Sequence, residues 1–428
     1  MFALRAPPPP LLRGVGGPAS NLCLVPSPPG PDATRAAVPS ETVVSRTSSL
    51  RLGLFGAAGL LNAISWQVVV PVLPLHLARI GYSAAAIGFL ASLLSLAMGV
   101  IELEVGRIAA VLGRRRTLIG GLALHALALL GAAEARTTGT IALALAGVGT
   151  ARGAVWTPLM AGVAEDATAQ TRGRTFGIFW TVTSLGFLLG PALGGLVASL
   201  YGDRAAFYLG TVLTLAAVPV VLPITSPGRP AVAEPRVHAR EVLREPVVVR
   251  LCVANHLHYA VSAIWSTFLP LYAAAQGQSV LVIGEVFAVQ GLTYALCQIP
   301  TGRLTDRIGP ERLIVPAVLG RAAASLLVPL LHTPGAFFVV GALYGLIGGV
   351  VPVTFTTLIA RVTTREHYTS AMGVYNSSGD LGFFVGPLLG GAAAFLGIAA
   401  PFLLCAPLGA AAWLSAESAV RAVRAREG

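Results

Sequence analysis

Leu185-Gly-Phe-Leu-Leu-Gly-Pro-Ala-Leu-Gly-Gly195 recurs 196 residues later as Leu381-Gly-Phe-Phe-Val-Gly-Pro-Leu-Leu-Gly-Gly391, and this pair decides the fold. The same register runs outward from it without a gap. Leu73-Pro74-Leu75 falls on Leu269-Pro270-Leu271, Gly81 and Ser83 on Gly277 and Ser279, and Ile87-Gly88 on Ile283-Gly284. Gly106-Arg107 falls on Gly302-Arg303, Gly113 on Gly309, and Gly177 on Gly373. A register constant over more than 120 residues makes the chain a tandem repeat of one large unit.

The material of that unit is membranous. The 428 residues are 55% hydrophobic and 11% charged, with a mean hydropathy of +0.77, whereas soluble domains carry about 25% charged residues. Apolar runs of eighteen or more residues recur along the chain, each long enough to cross a hydrocarbon core of about 30 Å as a helix. Backbone groups in lipid must be satisfied internally, so helices are expected. The alternating segments of about ten residues that build a membrane barrel are absent from the sequence. The runs predict twelve spans: 52–77, 84–107, 117–135, 140–164, 174–199 and 205–225, then 249–274, 281–302, 312–332, 335–360, 370–395 and 398–417. The expected fold is all-α, twelve transmembrane helices in two six-helix bundles related by a pseudo-two-fold axis along the membrane normal. Such parallel repeats hold a midplane site between their halves in transporters. The domains read as a leader at 1–50, bundles at 51–225 and 249–417, a linker at 226–248 and a tail at 418–428. Ten of the 30 prolines lie in the leader, which is expected to be disordered and cytoplasmic because it has too little apolar surface to bury.

Charge placement orients the bundle and excludes other partners. The net charge is +11 and all 29 basic residues are arginine. With the N-terminus inside, 24 arginines fall in cytoplasmic segments, three outside (Arg79, Arg136, Arg204) and two within spans (Arg152, Arg321). That asymmetry follows the positive-inside rule. It places both termini in the cytoplasm of a plasma or inner membrane, and accounts for the basicity without nucleic acid. The lipid bilayer and a small organic substrate are the expected partners, and a monomer is expected. Cys23, Cys252, Cys297 and Cys405 have no metal-ligand spacing. No P-loop, H-E-x-x-H or G-x-S-x-G occurs. We therefore expect no enzyme, no cofactor and no metal.

Two motifs carry a family resemblance. Gly302-Arg-Leu-Thr-Asp306-Arg307-Ile-Gly309 follows the eighth span, and Gly106, Gly113 and Arg114 follow the second in the same frame, with Ala110 in place of Asp306. The pattern resembles the cytoplasmic G-x-L-x-D-R-x-G-R-R signature of the major facilitator superfamily, and implies an inner-side charge network that the first copy must hold differently. Gly186, Gly190, Pro191, Gly194 and Gly195, with Gly382, Gly386, Pro387, Gly390 and Gly391, resemble the fifth-helix motif of that family's drug-exporting antiporters. Spaced glycines also let any two helices approach closely.

Ionisable groups inside a bilayer are costly, about 2.5–3.5 kcal/mol on insertion scales, and so mark candidate sites. Asp380, at mid-depth in the eleventh span with Asn376 one turn before it, suits a proton carrier or a helix–helix partner. Arg152 in the fourth span, with Trp156 a turn later, suits an anionic substrate or an acid such as Glu102. Glu104 reads as a surface group, and Glu165 and Asp166 with Arg172 and Arg174 as a gate network. Asn62 and Trp66 of the first span are equivalent to His258 and Ser262 of the seventh, with Tyr259 and Trp265 nearby, a face suited to an amphipathic substrate. His125 and Arg321 stand in register; a structural pair with a neighbouring helix is expected for both. The resemblance implies a secondary transporter working by alternating access, exporting an organic molecule against protons. A nutrient symporter or facilitator is the alternative, and a membrane-embedded sensor or enzyme a remote one.

Overall fold

The computed structural model describes residues 41–165, 172–224, 239–364 and 367–427. The leader up to residue 40, Asp166, residue 225 at the end of the sixth expected span, residues 226–238 of the linker and the side chains of Arg172 and Arg174 lie outside the described residues. Every regular element described is helical. The first half contains α1 (Glu41–Val69), α2 (Ala84–Leu112), α3 (Arg114–Glu134), α4 (Thr138–Glu165), α5 (Arg172–Tyr201) and α6 (Asp203–Val221). The second contains α7 (Pro246–Ala275), α8 (Val280–Ile308), α9 (Glu311–Leu326), α10 (Pro334–Val362), α11 (Tyr368–Ala393) and α12 (Cys405–Glu427). Among the described residues, eleven of these stretches are long and apolar enough to cross a membrane. The twelfth, α4, has Arg152 near its middle.

Local chemistry repeats with the sequence. Ser83 and Ser279 cap α2 and α8, accepting from the Ala86 and Val282 amides at 3.3 Å, as short hydroxyl side chains do at helix starts. Gly113 and Gly309 end the same helices with φ of 85° and 84°, a left-handed turn that a side chain would strain.

Three boundaries differ from the sequence expectation. Helix α1 starts at Glu41, inside the expected leader, and stops at Val69 before resuming as a short helix, Leu73–Arg79. Pro71 causes the break, since it lacks an amide and crowds the carbonyl four residues back. Thr267 occupies the equivalent place in α7, which stays continuous. The expected tail is helical to Glu427, because Ala416, Ala419, Val420 and Val423 bury one face while Arg421 and Arg424 stay exposed. The expected linker holds a short helix, Ala239–Val242, and the start of α7, where Pro246 follows the capping residue Glu245.

Away from the chain ends both halves share one core. Val72, Leu77, Ile87 and Leu90 pack in the same cluster as Ile264, Trp265, Phe268, Ile283 and Phe287. Toward the ends of the chain each half has its own core, one around Phe55, Leu122 and Phe179, the other around Leu251, Phe355 and Tyr375. The halves thus share a core at the far end and keep separate cores toward the terminal end. Two equivalent glycine contacts make the joint, α2 on α11 and α5 on α8. A Cβ on Gly88 would strike the Pro387 carbonyl oxygen, and one on Gly284 would stand 2.5 Å from that of Pro191. The antiporter-type motif is a packing stripe. Gly186, Gly190 and Gly194 face Ala63, Gln67 and Val68 of α1, and Gly382, Gly386 and Gly390 face Tyr259, Ala260 and Phe268 of α7. Gly195 and Gly391 turn to the opposite half.

Candidate functional site

Below the shared core lies a cavity of about 460 Å³. Helices α1, α2, α4 and α5 supply one wall; α7, α8, α10 and α11, with Arg321 of α9, supply the other. Leu73, Pro74, Leu77 and Phe287 line its far end. Its walls are largely aromatic and aliphatic, the usual character of a small-molecule site with a few polar groups for orientation.

One charged group sits where the halves meet. The Arg152 guanidinium lies 4.1 Å from the Trp66 ring centroid, a cation–π contact. Glu102 of α2 and Asp380 of α11 bring their carboxyl groups within interacting reach of each other, and both lie within electrostatic reach of Arg152. An ionised carboxylate only accepts, so a hydrogen bond between them requires a proton on one partner. Room for Glu102 comes from Gly153, whose Cβ, if present, would stand 3.1 Å from Glu102 Cγ.

The second charged group is Arg321. Its Cζ lies 4.2 Å from the Tyr344 ring centroid, and Nη1 lies 3.5 Å from His258 Nε2. Tyr344 stacks on Trp265 with centroids 3.8 Å apart and planes 8° from parallel, and the Trp265 indole donates to Gln290 Oε1 at 2.8 Å. No carboxylate pairs with Arg321 among the described residues, and its Nε has no partner. His258 Nδ1 and Asn62 Oδ1 are also buried without hydrogen bonds.

Of the residues expected at a site, Asp380, Arg152, Asn62, Trp66, Trp156 and His258 line the cavity. Glu102 joins through Asp380. Asn376 does not: it is exposed and outside the lining, since cavity and helix exterior divide along α11 between it and Asp380. Arg321 makes the expected pair with a neighbouring helix, but it also reaches the cavity, which peripheral placement of the ninth span did not foresee. His125 is fully buried beside Arg152 with neither ring nitrogen hydrogen-bonded. Trp180, Gln290 and Tyr294 line the cavity and carry no sequence signal beyond polarity or aromaticity within a span.

The gate residues divide. Arg114 holds Glu165 through two hydrogen bonds, one of 2.7 Å from Nη1 to Oε2. In the second half Arg361 donates to Glu311 at 3.1 Å. Glu165 and Arg361 are equivalent positions, but their partners are offset by one residue, since Arg114 falls on Pro310 and Glu311 on Arg115; both halves thus place an ion pair at this end with the signs exchanged. Glu104 pairs with Arg107, at 2.8 Å on the surface. Asp306 and Arg307 are exposed and form no ion pair among the described residues. Gly106 and Gly302 face open space.

A family model described as the Major Facilitator Superfamily matches residues 55–277 and again 251–427. The multidrug resistance protein MdtG of Escherichia fergusonii is 29% identical over 256 residues, covering 57% of this chain and 62% of that protein. MdtG of Enterobacter lignolyticus is 28% identical, with 57% and 61% covered. The match therefore spans less than two thirds of these relatives. The crystal structure of the nucleoside transporter NupG superposes with a TM-score of 0.73 at 13% identity, over 86% of this chain and 98% of that one. At that identity the likeness is one of fold.

Proposed function

Because the chain belongs to the major facilitator superfamily and is a multi-pass membrane transporter rather than an enzyme, we propose that it exports a small organic molecule in exchange for protons. The observation that carries this reading is the approach of the Glu102 and Asp380 carboxyl groups, which a shared proton would hydrogen-bond. It joins α2 of one half to α11 of the other, beside Arg152 and at the edge of the cavity. With a proton, the two carboxyl groups hold the halves together across the cavity. Without it they are like charges that repel, and Arg152 is the guanidinium beside them among the described residues. Proton occupancy thus biases the distance between the halves, the coordinate along which alternating access moves.

With the termini cytoplasmic, as the arginine asymmetry argues, the end with separate cores faces the cytoplasm and the joined end faces outward. Alternating access visits both faces whatever the direction of transport, so export is read from the likeness to multidrug resistance proteins.

Inside-out membrane vesicles test it. An acid lumen should drive accumulation of substrates from a panel of fluorescent organic compounds, and Asp380→Asn should abolish it. Accumulation driven instead by acid outside those vesicles would establish symport and overturn the exchange.

A further inference from the structure

We infer that the cavity takes an aromatic organic monoanion, whose anionic group pairs with Arg321; this rests on the transport reading of the cavity. The case begins with a difference between two guanidinium groups lining one space. Arg152 faces two carboxyl groups, Glu102 and Asp380. Arg321 faces none among the described residues; its neighbours are the neutral rings of Tyr344 and Tyr294 and the imidazole of His258. A guanidinium cannot shed its proton in a protein, and a buried charge without a counter-ion is costly. The missing counter-charge is one unit.

Hydrogen bonding agrees with the charge. Arg321 Nε is buried with no partner, and so is Nδ1 of His258, a residue 2% exposed in the cavity lining. With Nε2 accepting from Arg321, the neutral imidazole carries its proton on Nδ1. Two donors beside the cavity thus lack protein acceptors, and both are covered by protein in this conformation. A carboxylate or sulfonate against the cavity-lining Arg321 side chain supplies acceptor oxygens in charge-assisted bonds.

Shape supplies the rest of the ligand. Trp265, held by its stack on Tyr344 and its bond to Gln290, presents a rigid aromatic edge to the cavity. A space of about 460 Å³ suits a planar body of two or three rings. Gly348 completes the arrangement, since a Cβ there would stand 2.5 Å from Arg321 Nη1 and displace it.

The test is equilibrium binding by calorimetry to the full chain in lipid nanodiscs, with three probes of one shape. These are 2-naphthalenesulfonate, neutral 2-naphthalenesulfonamide and cationic 2-naphthylmethylammonium. The sulfonate should bind at least about tenfold more tightly than either other probe, the gain of one charge-assisted contact. Arg321→Gln should remove that preference and leave sulfonamide binding within about twofold, which also shows that the variant is folded. Arg321→Lys should restore part of it. Equal affinities, a preference for the cation, or a sulfonate preference that survives Arg321→Gln would each overturn the inference. The wild-type comparison alone suffices should the glutamine variant fail to fold. Binding does not require transport. Arg321-dependent sulfonate binding without movement in vesicles would therefore defeat the transport reading alone, and proton-driven movement of other compounds without sulfonate preference would defeat this inference alone.

Discussion

Arg321 occupies the space that Gly348 leaves empty, with Nη1 2.5 Å from where a Cβ on that glycine would stand. The other half reverses the arrangement: Arg152 stands at the position equivalent to Gly348, and His125 at that equivalent to Arg321. Each half thus delivers one guanidinium to the cavity, from α4 in the first and from α9 in the second. Gly348→Val should force Arg321 from its place over Tyr344. Overpacking of this kind costs about 1–3 kcal/mol, to be read as a lowered thermal midpoint in detergent. An unchanged midpoint would show that the guanidinium has another place to go.

The sign-exchanged ion pairs predict a rescue. Arg114→Glu opposes two carboxylates across the α3–α4 end and should destabilise the first half. Adding Glu165→Arg reproduces the polarity of the Glu311–Arg361 pair and should recover most of the loss. For a partly exposed bidentate pair we expect a coupling energy of about 1 kcal/mol in the double-mutant cycle. Purely additive effects would show that the pair contributes nothing.

Closure of the far end depends on backbone approach at Gly88 and Gly284. A Cβ on Gly284 would stand 2.7 Å from the Gly195 Cα, so Gly284→Val should hold α5 and α8 apart. A reporter cysteine placed at Leu77, a lining residue of the far end, should then label faster with an impermeant thiol reagent added outside intact cells. Labelling as slow as with glycine present would mean that the joint yields without opening.

Proton coupling predicts a split between two assays. Asp380→Asn and Glu102→Gln each remove one of the two carboxyl groups that would share the proton while keeping a hydrogen-bonding side chain. Gradient-driven accumulation should fall by at least about tenfold, comparable to losing a general acid–base group, while substrate counterflow at zero gradient persists. Equal loss in both assays would assign the pair to folding or substrate contact.

Much of this was legible in the chain itself. The register of 196 residues placed Gly113 with Gly309 and Ser83 with Ser279, and each pair does the same local work. Asp380, Arg152, Asn62, Trp66, Trp156 and His258 were found because polar or aromatic groups inside a span are few. Asn376 was not separable from Asp380 by spacing, since one turn of helix keeps both on a face and only the neighbours decide where the cavity ends. Arg321 was misplaced because the reach of a long side chain past Gly348 is a property of two helices together.

The sequence alone determined the repeat, the succession of spans and the glycine-marked turns. Those follow from the covalent order, and from a bilayer's demand that each crossing satisfy its own backbone. Only the tertiary structure decided that Glu102 meets Asp380, that Arg321 enters the cavity, and that Glu165 and its equivalent Arg361 pair with partners one residue out of register. Each of these depends on how a helix is turned about its axis and how closely it approaches the next. Packed side chains such as those around Gly153, Gly348 and Gly88 set both, and no pattern within one span records them.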